Sequence, residues 1–238
     1  MGNCCENKEI SHEKDSHEIL VGSQIDGVQQ AYNLEKPGTF TSQVEIKTEE
    51  SVRNVENFEV KPDTYYTGEF MEQKANGIGT LKTKEFTYNG EFVNGRPSGK
   101  GKIVFLDGSE YEGDFVNGNS HGNGKFTKRD GFLYNGEFQT NRYHGKGISK
   151  WANGSSYKGE FFKGKFHGEG IYTYPDKKVY KGKFFNGQKD GEGFISFPGK
   201  TETFQSTWKE GVIIGPSYFE ISGKKIKMQQ GDEKGLGI

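Results

Sequence analysis

The sequence predicts an all-β protein, an elongated single-layer antiparallel meander of β-hairpins. Three observations carry this expectation. One frame recurs, Tyr-x-Gly-x-Phe, six residues, then Gly-x-Gly, starting at Tyr66, Tyr88, Tyr111, Tyr134, Tyr157 and Tyr180 with spacings of 22 or 23. Self-similarity at such a period marks a repeat architecture, in which each unit buries its apolar face only against its neighbours. Within the frame, aromatics and glycines alternate at period 2, which is a strand pattern and not a helical one. Turn dipeptides separate the alternating runs: Asn94-Gly95 inside a repeat, and Asp107-Gly108, Asp130-Gly131 and Asn153-Gly154 between repeats. Such pairs supply the positive φ that tight hairpins require.

Residues 1–61 read as an acidic, irregular arm. Residues 1–60 hold 12 acidic and 5 basic side chains, whereas residues 61–219 hold 18 and 23. Only "SVRNVENFEV" has strand character there, as a candidate edge strand. Residues 62–221 form the repeat domain of about seven repeats, six full and one degenerate. In it, Tyr88, Gly90 and Phe92 share one strand face, Glu91 takes the other, and Gly99, Gly101, Ile103 and Phe105 lie on the returning strand. The degenerate copy starts at Phe204, with Ser206 and Trp208 for the first Gly and the Phe, and Gly215 and Ser217 for the Gly pair. Residues 222–238 are a short polar tail.

Glycine inside a strand normally weakens it, so its regular return implies a steric reason. Each Gly is expected to leave a flat floor on which a neighbouring strand's Tyr or Phe ring lies. With strands about 4.8 Å apart, each repeat advances roughly 10 Å, giving a ribbon of about 65–70 Å. Composition agrees. A chain only 30% hydrophobic, with mean hydropathy −0.87, has little material for a thick core. Its 14% aromatics and 36 glycines suit a thin aromatic one, because each buried ring removes a large area from water.

The copies "YTGEF", "YNGEF", "YEGDF", "YNGEF", "YKGEF" and "YKGKF", with "GIG", "GKG", "GNG", "GKG", "GEG" and "GEG", resemble the MORN repeat family (membrane occupation and recognition nexus), over about residues 62–221. The resemblance implies a non-enzymatic scaffold that binds partner proteins. Junctophilin-like MORN proteins act at membranes, and radial-spoke-head MORN proteins act in the ciliary axoneme. Other members carry lipid-kinase or lysine-methyltransferase domains; the stretch after Phe219 is too short for one.

The residues themselves point away from catalysis. His121, His144 and His167 recur at one repeat position, but about 10 Å apart, too far to share an ion with metal–nitrogen bonds near 2.1 Å; they read as rings packed at a turn. The Gly-x-Gly pairs precede no helical pattern and match no phosphate loop. Glu91, Asp114, Glu137 and Glu160 read as a solvated outward face. Asn153, in "NGS", reads as a hairpin turn. No cofactor, metal, nucleotide or nucleic acid is expected, and no run of 18 apolar residues predicts a transmembrane helix.

Three features point to contacts. "MGNCCENKE" places Gly2 for myristoylation and Cys4 and Cys5 for palmitoylation, although Glu6 stands where the common acceptor pattern has Ser or Thr. Two acyl chains give a stable anchor where one is marginal. Tyr111, Phe115, Tyr134, Phe138, Tyr157 and Phe161 form an aromatic face expected to present a shallow partner-binding furrow, covered in part by a partner or by the tail "KKIKMQQ". Lys158, Lys163, Lys165, Lys177, Lys178, Lys181 and Lys183 form a candidate basic patch for an acidic partner or anionic lipid. The functional expectation is a scaffold that positions a partner protein at a membrane or cytoskeletal site, peripheral to a membrane in the cytoplasm or in a cilium. A ciliary axoneme component and a direct anionic-lipid-binding module are the alternatives.

Overall fold

A computed structural model of the chain describes residues 52–229. Gly2, Cys4 and Cys5 lie outside the described residues. Every regular element in this span is a β-strand, and the strands form one open antiparallel sheet in chain order. β1 (Arg53–Lys61) is the edge strand suggested by "SVRNVENFEV". Six hairpins follow: β2 (Thr64–Met71) with β3 (Lys74–Lys82), β4 (Phe86–Val93) with β5 (Arg96–Phe105), β6 (Glu110–Val116) with β7 (Asn119–Thr127), β8 (Leu133–Gln139) with β9 (Arg142–Lys150), β10 (Ser156–Phe162) with β11 (Lys165–Thr173), and β12 (Val179–Phe185) with β13 (Gln188–Ser196). β14 (Thr203–Lys209) carries the degenerate copy. It pairs with β15 (Val212–Ile213) and then β16 (Tyr218–Ile221), which pairs with β17 (Lys224–Lys227).

Two turn types alternate along the two edges of the ribbon. Turns inside repeats are two-residue turns with both residues at positive φ, such as Asn94 (50°) with Gly95 (79°) and Lys163 (50°) with Gly164 (87°). That twist matches the strands it joins. These turns also tie successive repeats together: Gly95 N–H donates to Ala75 O at 2.8 Å, and Gly118 N–H to Pro97 O at 2.8 Å. Four of the turns between repeats are closed by an Asp or Asn, namely Asp107, Asp130, Asn153 and Asp176. Asn153 Oδ1 accepts from the Ser155 N–H (2.9 Å) and hydroxyl (2.7 Å), so Asn153 is a turn residue as read. Each strand makes its substantial contacts with immediate neighbours only, so a repeat's stability rests on the repeats beside it.

The tail differs from expectation. "KKIK" does not lie over an aromatic furrow; it adds β17 to the sheet, and Met228 N–H donates to Ser217 O at 2.9 Å. Three lysines on a four-residue edge strand discourage another strand from pairing there.

Candidate interaction surface

Each frame tyrosine lies flat along its own strand, over two glycines paired across the hairpin. In the second repeat, Gly90 pairs with Gly101. A Cβ on Gly101 would sit 2.5 Å from Tyr88 Cε2, and one on Gly90 would sit 2.5 Å from Tyr88 Oη. The glycine floor therefore exists, and it carries the ring of the same repeat. The hydroxyl then donates to the carbonyl three residues on: Tyr88 to Glu91 O at 2.9 Å, Tyr134 to Glu137 O at 2.8 Å, Tyr157 to Glu160 O at 2.9 Å. Burial pushes the phenol pKa of Tyr66, Tyr88, Tyr111, Tyr134, Tyr157 and Tyr180 far above its ordinary range.

The frame phenylalanines link these rings into one ladder. Tyr111 meets Phe115 at 5.1 Å and Phe138 at 4.8 Å; Tyr134 meets Phe138 at 5.1 Å and Phe161 at 5.0 Å, all edge-to-face. That geometry adds about 0.5–1.5 kcal/mol per pair beyond area burial. The returning strand then covers the ladder. Tyr143 stacks on Tyr134 at 3.8 Å, Phe166 on Tyr157 at 3.8 Å, and Lys189 Nζ sits 5.1 Å from the Tyr180 ring. Tyr111, Phe115, Tyr134, Phe138, Tyr157 and Phe161 are consequently 0–3% exposed. The expected furrow is corrected: the chain fills it with its own rings, and a partner does not reach these six.

The degenerate copy shows the same rule with other atoms. Ser206 and Ser217 replace the glycine pair, and their buried hydroxyls share a hydrogen bond of 3.1 Å. With the floor occupied, the flat-lying Tyr is replaced by Phe204, which has no hydroxyl to satisfy.

The outer face is built on a bulge. Glu91 Oε1 accepts from Lys100 N–H at 2.7 Å, Asp114 Oδ2 from Asn123 N–H at 2.9 Å, and Glu137 Oε1 from Lys146 N–H at 2.8 Å. The preceding glycines, Gly99, Gly122 and Gly145, have φ of +93°, +56° and +54°. The Glu160 carboxylate sits against Gly168 in the same way. These carboxylates stand on the outward face as read, with Glu137 and Glu160 exposed, and Glu91, Asp114 and Glu137 also cap backbone N–H groups beside the bulge. The ion pair with Lys100, aided by the Asn123 N–H, holds the Asp114 carboxyl below its ordinary range.

The histidines stand on this outer strand face and not at a turn. His121 pairs in register with Asp114, and His144 with Glu137. His144 packs 5.4 Å from Phe162, and His167 lies between Phe162 (5.5 Å) and Phe185 (5.2 Å). Among the described residues, no group of three or more His, Cys, Asp or Glu is placed to hold a metal ion.

The structure divides the basic patch. Lys158 and Lys181 flank Ile171 in register, and Lys163, Lys165 and Lys183 join them on or beside the same face. Lys177 and Lys178 sit at an inter-repeat turn on the other edge, where Lys178 pairs with Asp176. Between the lysines stand apolar residues that sequence reasoning did not single out: Phe162, Ile171, Phe185 and Phe194, 38–57% exposed. The doublets Phe161-Phe162 and Phe184-Phe185 are their one sequence signal, because the second residue of each doublet must face away from the ladder.

The MORN repeat pattern matches five times, over residues 88–110, 111–132, 134–156, 157–179 and 180–201. No curated protein matches the chain. Among solved structures, the SAS-4 (dCPAP) TCP domain, in complex with a proline-rich motif of Ana2 (dSTIL) of Drosophila melanogaster, is similar at 8% identity and a TM-score of 0.43. That match covers 83% of this chain and 99% of the other.

Proposed function

This chain is a MORN-repeat protein, and on that premise we propose that it is a non-enzymatic scaffold whose ribbon holds a partner protein on its outer face and positions it at a membrane or cytoskeletal site. One observation carries the reading: the aromatic ladder is consumed inside the ribbon, while Phe162, Phe185 and Phe194 stand exposed on the other face of repeats five and six. Rings on a rigid sheet lose little entropy when a partner docks, and aromatics of this kind dominate interface energetics. The repeat family is itself non-catalytic. Acylation at Gly2, Cys4 and Cys5 would supply the membrane half of the function; the axonemal alternative needs no anchor.

Two measurements test this. Full-length protein and a Phe162→Asp, Phe185→Asp variant are compared for partner recovery by crosslinking in the native cell. Loss of a partner at unchanged melting temperature supports the outer face, and equal recovery refutes it. Localisation of wild type beside Gly2→Ala separates the contexts: release from membranes supports the anchor, and an unchanged axonemal signal supports the alternative.

A second reading has its own observation, the lysines Lys158, Lys181 and Lys183 between exposed rings. These match an anionic-lipid surface. Flotation of unacylated full-length protein with anionic vesicles tests it, and failure to float eliminates it.

A further inference from the structure

We infer that the outer face of repeats five and six is a docking site for the chain's own acidic arm, in particular residues 6–20. The inference goes beyond the scaffold reading: it concerns what occupies this face when no partner does, and it can fail while partner binding stands.

Charge on the outer face changes along the ribbon. In repeats two and three it is balanced by ion pairs, Lys100 with Asp114 and Lys102 with Glu110. In repeat six the capping carboxylate of the frame is replaced by Lys183. Among the described residues, Lys158, Lys163, Lys181 and Lys183 have no ion-pair partner. The carboxylates facing them are Glu160, committed to its bulge at Gly168, and Glu169 and Glu192 on the adjoining strands. The surface between is apolar, with Phe162, Ile171, Phe185 and Phe194 exposed. A complementary segment is therefore acidic with interspersed aliphatics.

Residues 1–51 have that composition, with 10 acidic and 4 basic side chains. Reach and carboxylate density together select the part that docks, because residues 21–43 hold only Asp26 and Glu35. From β1 to β11 is ten strand spacings, about 48 Å. Residues 44–50 extend at most about 25–30 Å from Arg53 and fall short. Residues 6–20, "ENKEISHEKDSHEIL", hold five carboxylates against Lys8 and Lys14, with Ile10, Ile19 and Leu20. The chain between Leu20 and Arg53 spans about 30 Å as a random coil and more than about 100 Å when extended, so the site lies within its range. Tethering gives an effective concentration in the millimolar range, enough for a weak charge-guided contact to form. A partner on this face must displace the arm, so arm and partner compete.

The chain's own cysteines provide the probe. Cys4 and Cys5 are the only two, so Cys5→Ser leaves one thiol at Cys4, two residues before Glu6, for a nitroxide label. Paramagnetic broadening of backbone amide signals is then measured on unacylated full-length protein. The expected result is broadening centred on Phe162, His167, Lys181 and Phe185 at low salt, and its loss at about 1 M salt, where the screening length falls to about 3 Å. It should also vanish in a Lys158→Glu, Lys163→Glu, Lys181→Glu, Lys183→Glu variant, and in the reciprocal variant with Glu6, Glu9, Glu13, Asp15 and Glu18 changed to their amides. The reciprocal variant leaves the sheet untouched and decides the matter if the lysine variant does not fold. Broadening centred on another surface, or broadening that survives both charge variants, overturns the inference. Broadening that appears only between labelled and unlabelled copies assigns the face to a second copy of the chain instead.

Discussion

Raising the pH above 10 is expected to unfold this protein cooperatively. Tyr66, Tyr88, Tyr111, Tyr134, Tyr143, Tyr157 and Tyr180 are all 0% exposed, and burial raises every one of their pKa values. Six of the seven hydroxyls also donate to a backbone carbonyl, which requires the proton. Below pH 10 the phenol is protonated in both states, and its contribution to stability is complete. Above pH 10 the unfolded chain releases protons that the folded chain keeps, so stability falls as pH rises. Each buried tyrosine then costs about 0.8 kcal/mol by pH 10.5 and about 1.4 kcal/mol by pH 11. Seven together give roughly 6 and 10 kcal/mol, an upper value because nearby solvent screens part of it, against a typical total of about 5–15 kcal/mol. Urea midpoints measured across this range, alongside tyrosinate absorbance, provide the assay. Of the 12 tyrosines, these seven should ionise only together with unfolding. All twelve titrating along one curve near pH 10, with an unchanged urea midpoint, would refute the reasoning.

Other perturbations follow from the same ladder. Gly136→Val should destabilise by roughly 2–4 kcal/mol, combining overpacking with a displaced hydroxyl bond. A Cβ there lies 2.5 Å from Gly147 Cα and 2.7 Å from Tyr134 Oη, and an unchanged melting temperature would show that the ring does not need this floor. Glu137→Ala removes the acceptor of the Lys146 N–H and should cost about 1 kcal/mol; Glu137→Gln should restore most of it, measured by urea unfolding. Ending the chain before Phe204 strips β14 from β13 and removes Trp208, which packs 5.2 Å from Tyr180. The shortened protein exposes β13 as a new edge and should dimerise or aggregate in light scattering, and an equally stable monomer would show that β14 does not protect that edge.

The sequence by itself determined the hairpins of the repeats and their order. Strand, turn and pairing are set by contacts within about one period of 23 residues. The alternation Tyr88, Gly90, Phe92, the turn Asn94-Gly95 and the returning Gly101 are therefore all legible in one copy and confirmed by the next. Even the glycine floor could be anticipated, because a repeated strand glycine needs a steric cause.

Only the tertiary structure decided which face is free. The furrow closes because position 143 carries a Tyr and position 166 a Phe that fold back onto Tyr134 and Tyr157. These residues break the repeat, so periodicity says nothing about them. The capping role of Glu91 and Glu137 is not legible in the sequence, because the bulge that recruits them to the backbone depends on the left-handed conformation of Gly99 and Gly145. Strand alternation turns Phe162 and Phe185 outward once Phe161 and Phe184 are fixed in the ladder. A period-2 pattern names two faces. Which of them is covered depends on side-chain volume summed across neighbouring strands.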